Sequence, residues 1–155
     1  MVRSLCGIPQ DRLQIEERKM KKEVILRYRG LQSFLTQFIP SSCLFLSLLE
    51  ICEEVRGIPI DIVDAILKCA NLGYVSANGY VNDSLAILKL FTNREWCIEK
   101  FKPENEMQTL PNSYYVEKWE SWNGATHFRV VGNDTLIDSK IVKSGKLTEI
   151  RRYRY

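Results

Sequence analysis

The sequence predicts an α+β fold in one domain, with N-terminal helices packed on a C-terminal antiparallel sheet. Three observations carry this. Apolar residues keep a largely helical rhythm up to Phe91, and after the loop Lys102–Asn112 the period changes to two. The length of 155 residues, with 45% apolar and 26% charged side chains, suits one soluble globular domain and excludes disordered, collagen-like and coiled-coil chains. That domain is expected over 1–155, its helical part over about residues 10–92 and its sheet part over about 95–155.

Asp11–Glu23 is dense in charged helix formers. Leu13, Met20, Val24, Leu31, Phe34 and Leu35 continue an apolar rhythm that Gly30 interrupts, so one or two helices with a solvated face are expected. Pro40-Ser41-Ser42 then introduces Cys43–Arg56. Either serine can cap its first turn, and Gly57 with Pro59 ends it. Its first two turns are apolar nearly all round and call for burial, whereas Glu50, Glu53, Glu54 and Arg56 give a solvated far end. Pro59 opens a further helix with Ile62, Val63, Ile66, Leu67 and Ala70 on one stripe and Gly73 as its stop. Asn78-Gly79 within Tyr74–Val81 signals a short hairpin, and Asp83 caps a short helix through Phe91. Strands are expected at Tyr114–Trp119, Thr126–Val131, Thr135–Asp138 and Leu147–Tyr153, with turns near Gly132-Asn133-Asp134 and Ser144-Gly145.

Several chemistries fail on residue count. Cys6, Cys43, Cys52, Cys69 and Cys97 are odd in number and contain no Cys-x-x-Cys pair, and His127 is the only histidine. This argues against a disulfide framework and a zinc site, and reduced thiols suit a cytoplasmic protein. Met1–Gln10 lacks the apolar core of a signal peptide, and the run Leu44–Leu49 with Ile51 falls far short of a membrane span of about 20 residues. No phosphate-cradling glycine loop or dinucleotide fingerprint occurs, so neither a metal nor a cofactor is expected. The net charge of +3 is too small to imply a nucleic-acid partner by itself.

The most informative local feature is a thiol at a helix N-terminus, where unpaired N–H groups and the helix dipole favour the thiolate. Cys43 has that position, which also suits a small buried hydrophobe; Cys52, further along the same helix, lacks that help. His127 begins the strand His-Phe-Arg-Val-Val. If Asn133-Asp134 is a two-residue turn, Arg129 lies opposite Asp138, and His127 is the diagonal neighbour of Asp138 on the same face. Asp138 would then accept from an imidazole nitrogen and orient the base that a thiol nucleophile needs; another register moves Asp138 to the opposite face. Gln37, six residues before Cys43, offers a side-chain amide to a developing oxyanion beside the Cys43 N–H.

Gln37…Cys43 at the head of a buried helix, followed by His127-Phe-Arg-Val-Val and a hairpin returning to Asp138, resembles the papain-like cysteine peptidases. The short form is most similar to the branch that contains the leader peptidases of bacteriocin exporters. Leu31-Gln32-x-Phe34-Leu35, Cys43-Leu-Phe-Leu, Gly73-Tyr74-Val75, Val81-Asn82-Asp83 and Ile137-Asp138-Ser139 also resemble a family of small uncharacterised proteins, known mainly from spirochaetes and mobile or phage-like elements. The first resemblance implies a papain-like fold with Cys43 as nucleophile, His127 as general base and then acid, Asp138 as orienting carboxylate and Gln37 in the oxyanion hole. The chain departs from the pattern in having Leu44 after the cysteine and no aromatic residue beside it. It implies thiol-dependent acyl transfer, most simply hydrolysis of a peptide or other amide bond, or a silent relative that binds a peptide or protein.

Other classes leave weaker traces. Pro59–Leu72 with the following hairpin has the outline of a helix and wing, yet it sets Lys68 against Asp61 and Asp64, the wrong balance for phosphates. After Asp138, Lys140, Lys143, Lys146, Arg151, Arg152 and Arg154 outnumber Glu149; the favoured reading is the solvated face of a terminal edge strand rather than a phosphate-binding stripe. Trp96, Trp119 and Trp122 complete a half-buried sheet or anchor a partner. The expected partner is a peptide or protein substrate, not nucleic acid or a membrane.

Overall fold

Two compact units divide the chain, Met1–Gln37 and Phe38–Tyr155. The computed structural model describes residues 29–31, 33–105, 110–131 and 144–155. In the first unit the described residues are helical. The helix expected over Asp11–Glu23 lies outside the described residues.

The second unit begins at Phe38, which leads through the short 3-10 turn Ile39–Ser41 into α1 (Cys43–Arg56). Gly57 ends α1 in the left-handed region, at φ 70°. One expectation changes here. Ser42 occupies the N-cap position, but its hydroxyl donates to the Ile39 carbonyl at 2.7 Å and makes no cap bond to the helix. The preceding 3-10 turn presents an acceptor within reach, and the hydroxyl takes it.

α2 (Ile62–Asn71) starts later than Pro59 suggests, because Asp61 is the true cap and its Oδ1 accepts from the Asp64 N–H at 2.9 Å. Ala65, Ile66 and Cys69 are its buried residues. The hairpin at Asn78-Gly79 forms as a single bridge, Val75 to Val81, with the Gly79 N–H donating to the Ser76 carbonyl at 2.9 Å. Asp83 caps α3 (Ser84–Thr92) by accepting from the Ala86 N–H at 2.9 Å.

Four antiparallel strands follow: β1 (Cys97–Phe101), β2 (Ser113–Glu120), β3 (Thr126–Val130) and β4 (Lys146–Arg154), in the order β1-β4-β2-β3. The architecture is α+β. Two expectations are corrected. β1 has no counterpart in the sequence reading, since Cys-Ile-Glu-Lys-Phe is short and its burial alternates weakly. β4 is internal rather than an edge, flanked by β1 and β2. Its cations are accommodated within the sheet. Arg152 reaches Glu99 of β1 at 2.5 Å and lies over the Phe101 ring; Arg151 reaches Glu149 at 2.5 Å and lies over the Phe128 ring. The strand expected at Thr135–Asp138 lies outside the described residues.

Register fixes the two faces of the sheet. Val116 pairs with Val130 and Arg151, while Glu117 pairs with Arg129 and Ile150. Val116, Val130 and Tyr153 share the first face and are buried. α1 packs against α3 and β3, and the Phe38 ring meets Phe45 edge-on at 5.5 Å. Phe45, Leu48 and Ile51 of α1, with Ile87 and Leu88 of α3, are fully buried. Burial of each such side chain is worth about 1.5–3 kcal/mol, which makes the apolar head of α1 the anchor of this unit. Among the described residues, no single helix is long and apolar enough to cross a membrane.

Candidate functional site

Cys43 is the first residue of α1 and is half-buried, between the apolar head that fixes the helix and the turn that precedes it. Ser42 supplies no cap bond to the N–H groups of the first turn of α1. Cys43 lines two cavities. One, of about 170 Å³, lies between α1 and β3 and is bounded by Cys43, Leu46, Ser47, Glu50 and the successive residues His127, Phe128, Arg129 and Val130. The other, of about 510 Å³, is bounded by Pro40, Ser41, Cys43, Leu44, Tyr80, Val81, Gly124, Ala125, Thr126, Phe128 and Arg151.

Two of the four residues singled out in the sequence therefore meet at one cavity. Cys43 comes from the head of α1 and His127 from β3. The register adds a constraint. His127 pairs with Trp119, so it belongs to the face that carries Glu117 and Arg129, opposite the face of Val116, Phe128 and Val130. β3 is an outer strand of the described sheet, and residues of both its faces reach the cavity along its margin. His127 and Cys43 thus line one cavity although His127 lies on the face opposite Val116, Phe128 and Val130. Gln37 is exposed and closes the first unit, whereas Cys43 belongs to the second. Asp138 lies outside the described residues.

The sequence reading missed two residues, Glu117 and Glu50. Glu117 is diagonal to His127 on the same face, the relation expected of Asp138, and its Oε2 accepts from Arg129 Nε at 2.7 Å and from Trp119 Nε1 at 2.9 Å. Arg129 also lies over the Trp119 ring. Alternation along Glu117-x-Trp119 and His127-x-Arg129, with Asn123-Gly124 between the two strands, was the available signal. Glu50, read as part of a solvated helix end, lines the cavity instead; with Cys43 and Ser47 it follows the i, i+4, i+7 spacing of one helix stripe. Of the other acids in that group, Glu53 accepts from the Ile60 N–H at 2.8 Å and Glu54 is exposed.

Burial separates the thiols. It pushes Cys52 up from 9.0 to about 12, with Cys69 and Glu53 adding to the rise against Arg56, and it pushes Cys69 to about 11 against the pull of Lys68. Both remain protonated through neutral pH and are poor nucleophiles. A stability consequence follows. Below the unfolded thiol's pKa both states are protonated and the contribution is complete; as pH rises above about 9, the unfolded chain loses protons that the folded chain keeps. Stability is then expected to fall by about 1.4 kcal/mol per thiol per pH unit up to the folded values. Urea melts from pH 8 to 11 measure this, and Cys52→Ala should flatten the alkaline decline by about half. An unchanged decline would mean that Cys52 does not contribute to it.

No protein-family model, curated protein or solved structure matches the chain.

Proposed function

We propose that the cavity between α1 and β3 is a thiol-dependent acyl-transfer site that hydrolyses a peptide or other amide bond. The observation that carries the reading is that Cys43 and His127, from distant parts of the sequence, line one cavity at a helix N-terminus. In this mechanism His127 takes the thiol proton, and Cys43 Sγ bonds to the substrate carbonyl carbon. The oxyanion is held by first-turn N–H groups of α1. Collapse breaks the C–N bond, and His127 protonates the leaving amine. Water, deprotonated by His127, then displaces Sγ and releases the acid. Asp138 is the proposed orienting carboxylate.

The test is iodoacetamide alkylation from pH 5 to 9 with every cysteine mapped by mass spectrometry. A catalytic thiol ionises at roughly 3.5–7.5 against about 8.5 for an ordinary one. Cys43 is expected to react near pH 6 at least tenfold faster than exposed Cys97, and His127→Ala should slow it. Equal rates at Cys43 and Cys97 would remove the dyad.

A second reading has its own support. The register puts His127 on the face of Trp119 and away from the core face beneath α1. A catalytically silent protein that holds a peptide in the larger cavity fits that placement. It predicts that His127→Ala leaves Cys43 reactivity unchanged.

A further inference from the structure

The apolar side chains around α2 stand out once the core is assigned. Ile58, Ile62, Val63, Leu67 and Leu72 are each 41–53% exposed, half of all the large apolar residues that are exposed in the described structure. They belong to one short segment, and α2 turns only Ala65, Ile66 and Cys69 inward. Val63 and Leu67 are one turn apart, so they form a stripe that continues the buried face sideways. A concentration of this kind marks an interaction surface more often than a scattered exposed leucine does.

The charges on α2 indicate what covers it. Asp61 and Asp64 occupy its N-terminal turn and Lys68 its C-terminal half. Asp64 and Lys68 make no ion pair among the described residues. This order is self-complementary under a twofold axis. When two copies of α2 pack antiparallel about the level of Ile66, Asp64 of each falls level with Lys68 of the other. The two helix dipoles then also oppose.

We infer that α2 is a self-association surface, and that its occupant is a second copy of this chain packed antiparallel through Val63 and Leu67 with reciprocal Asp64–Lys68 pairs. A ten-residue helix with its flanks offers a small contact, so the dimer is reversible and micromolar rather than obligate. This does not depend on the reading of Cys43.

Sedimentation equilibrium of the full chain over micromolar to submillimolar concentrations tests it, with circular dichroism to verify folding. A reversible monomer–dimer equilibrium is expected. Leu67→Glu should abolish it without loss of helix content, and Val63→Lys provides the same test should Leu67→Glu fail to fold. Asp64→Lys and Lys68→Asp should each weaken association about tenfold at low salt, and the two together in one chain should restore it. A monomer at every concentration, or a Leu67→Glu protein that dimerises as well as the original, overturns the proposal. So does a double variant no tighter than either single one; capture of a different protein by a monomeric chain would assign the surface to that partner instead.

Discussion

With an activated ester such as p-nitrophenyl acetate, the protein is expected to release a burst of one nitrophenolate per chain, and Cys43→Ala is expected to release none. Acylation of a thiol at the head of α1 is the step that needs least from an unidentified substrate, because the leaving group departs without a proton. Cys52 and Cys69 cannot replace Cys43, since burial holds both thiols protonated, at about 12 and about 11. Cys97 is exposed but lies on β1, away from either cavity at Cys43. Cys97→Ser should therefore leave the burst intact. His127→Ala should slow acylation at pH 7 by about 10²–10⁴, the range for loss of a positioned base. The same variant should recover at pH 10, where the thiolate forms without help. That recovery separates a lost base from a damaged fold. An equal burst from wild type and His127→Ala at pH 7 would favour the silent, peptide-holding reading.

The helices that frame the site were legible because each carries its own punctuation. α1 ends at Arg56 as Gly57 indicates, and Asp83 caps α3 as its position suggests, although Ser42 at the head of α1 makes no cap bond. Local chemistry decides such ends, so local sequence reports them. Strand order was less accessible. β4 carries Lys146, Arg151, Arg152 and Arg154, the composition of an edge, yet it is internal because Glu99, Phe101 and Phe128 on other strands accommodate its guanidinium groups. Those partners lie far away in sequence, and no window around β4 contains them.

Cys43 was singled out from one helix boundary, a local signal, and it lines a cavity together with His127. The orienting group was sought at Asp138, on the strand expected after His127, and the strand expected before it was not considered as the source. In the described sheet β3 pairs with β2, which sets Glu117 diagonal to His127. Glu117 accepts from Arg129 and Trp119 on that face. β2 and β3 are joined by the short turn over residues 121–125, so this pairing is a local hairpin, and Asn123-Gly124 was its signal in the sequence.

Gly79→Ala is expected to lower stability by about 2–5 kcal/mol, or roughly 5–20 °C in Tm for a chain of this size. Two costs combine. At φ +89° a Cβ is strained in itself, and here it would run into the Phe38 carbonyl oxygen, with the Phe38 and Ser41 carbonyl carbons each 3.2 Å away. Backbone cannot yield as a flexible side chain can. Gly57→Ala isolates the first cost, because Gly57 has φ +70° and nothing within 4 Å of the added Cβ. It should lose only about 1 kcal/mol. The difference between the variants measures how tightly the hairpin tip holds the turn Ile39–Ser41 that delivers Cys43 to the cavity. That turn also fixes Ser42, whose hydroxyl bonds back to Ile39 and leaves the head of α1 without a side-chain cap. A shift of Phe38 should therefore reach the thiol: Gly79→Ala should change the alkylation rate of Cys43, and Gly57→Ala at the far end of α1 should not. Equal melting temperatures for the two variants would mean that the hairpin tip and the turn move apart without cost.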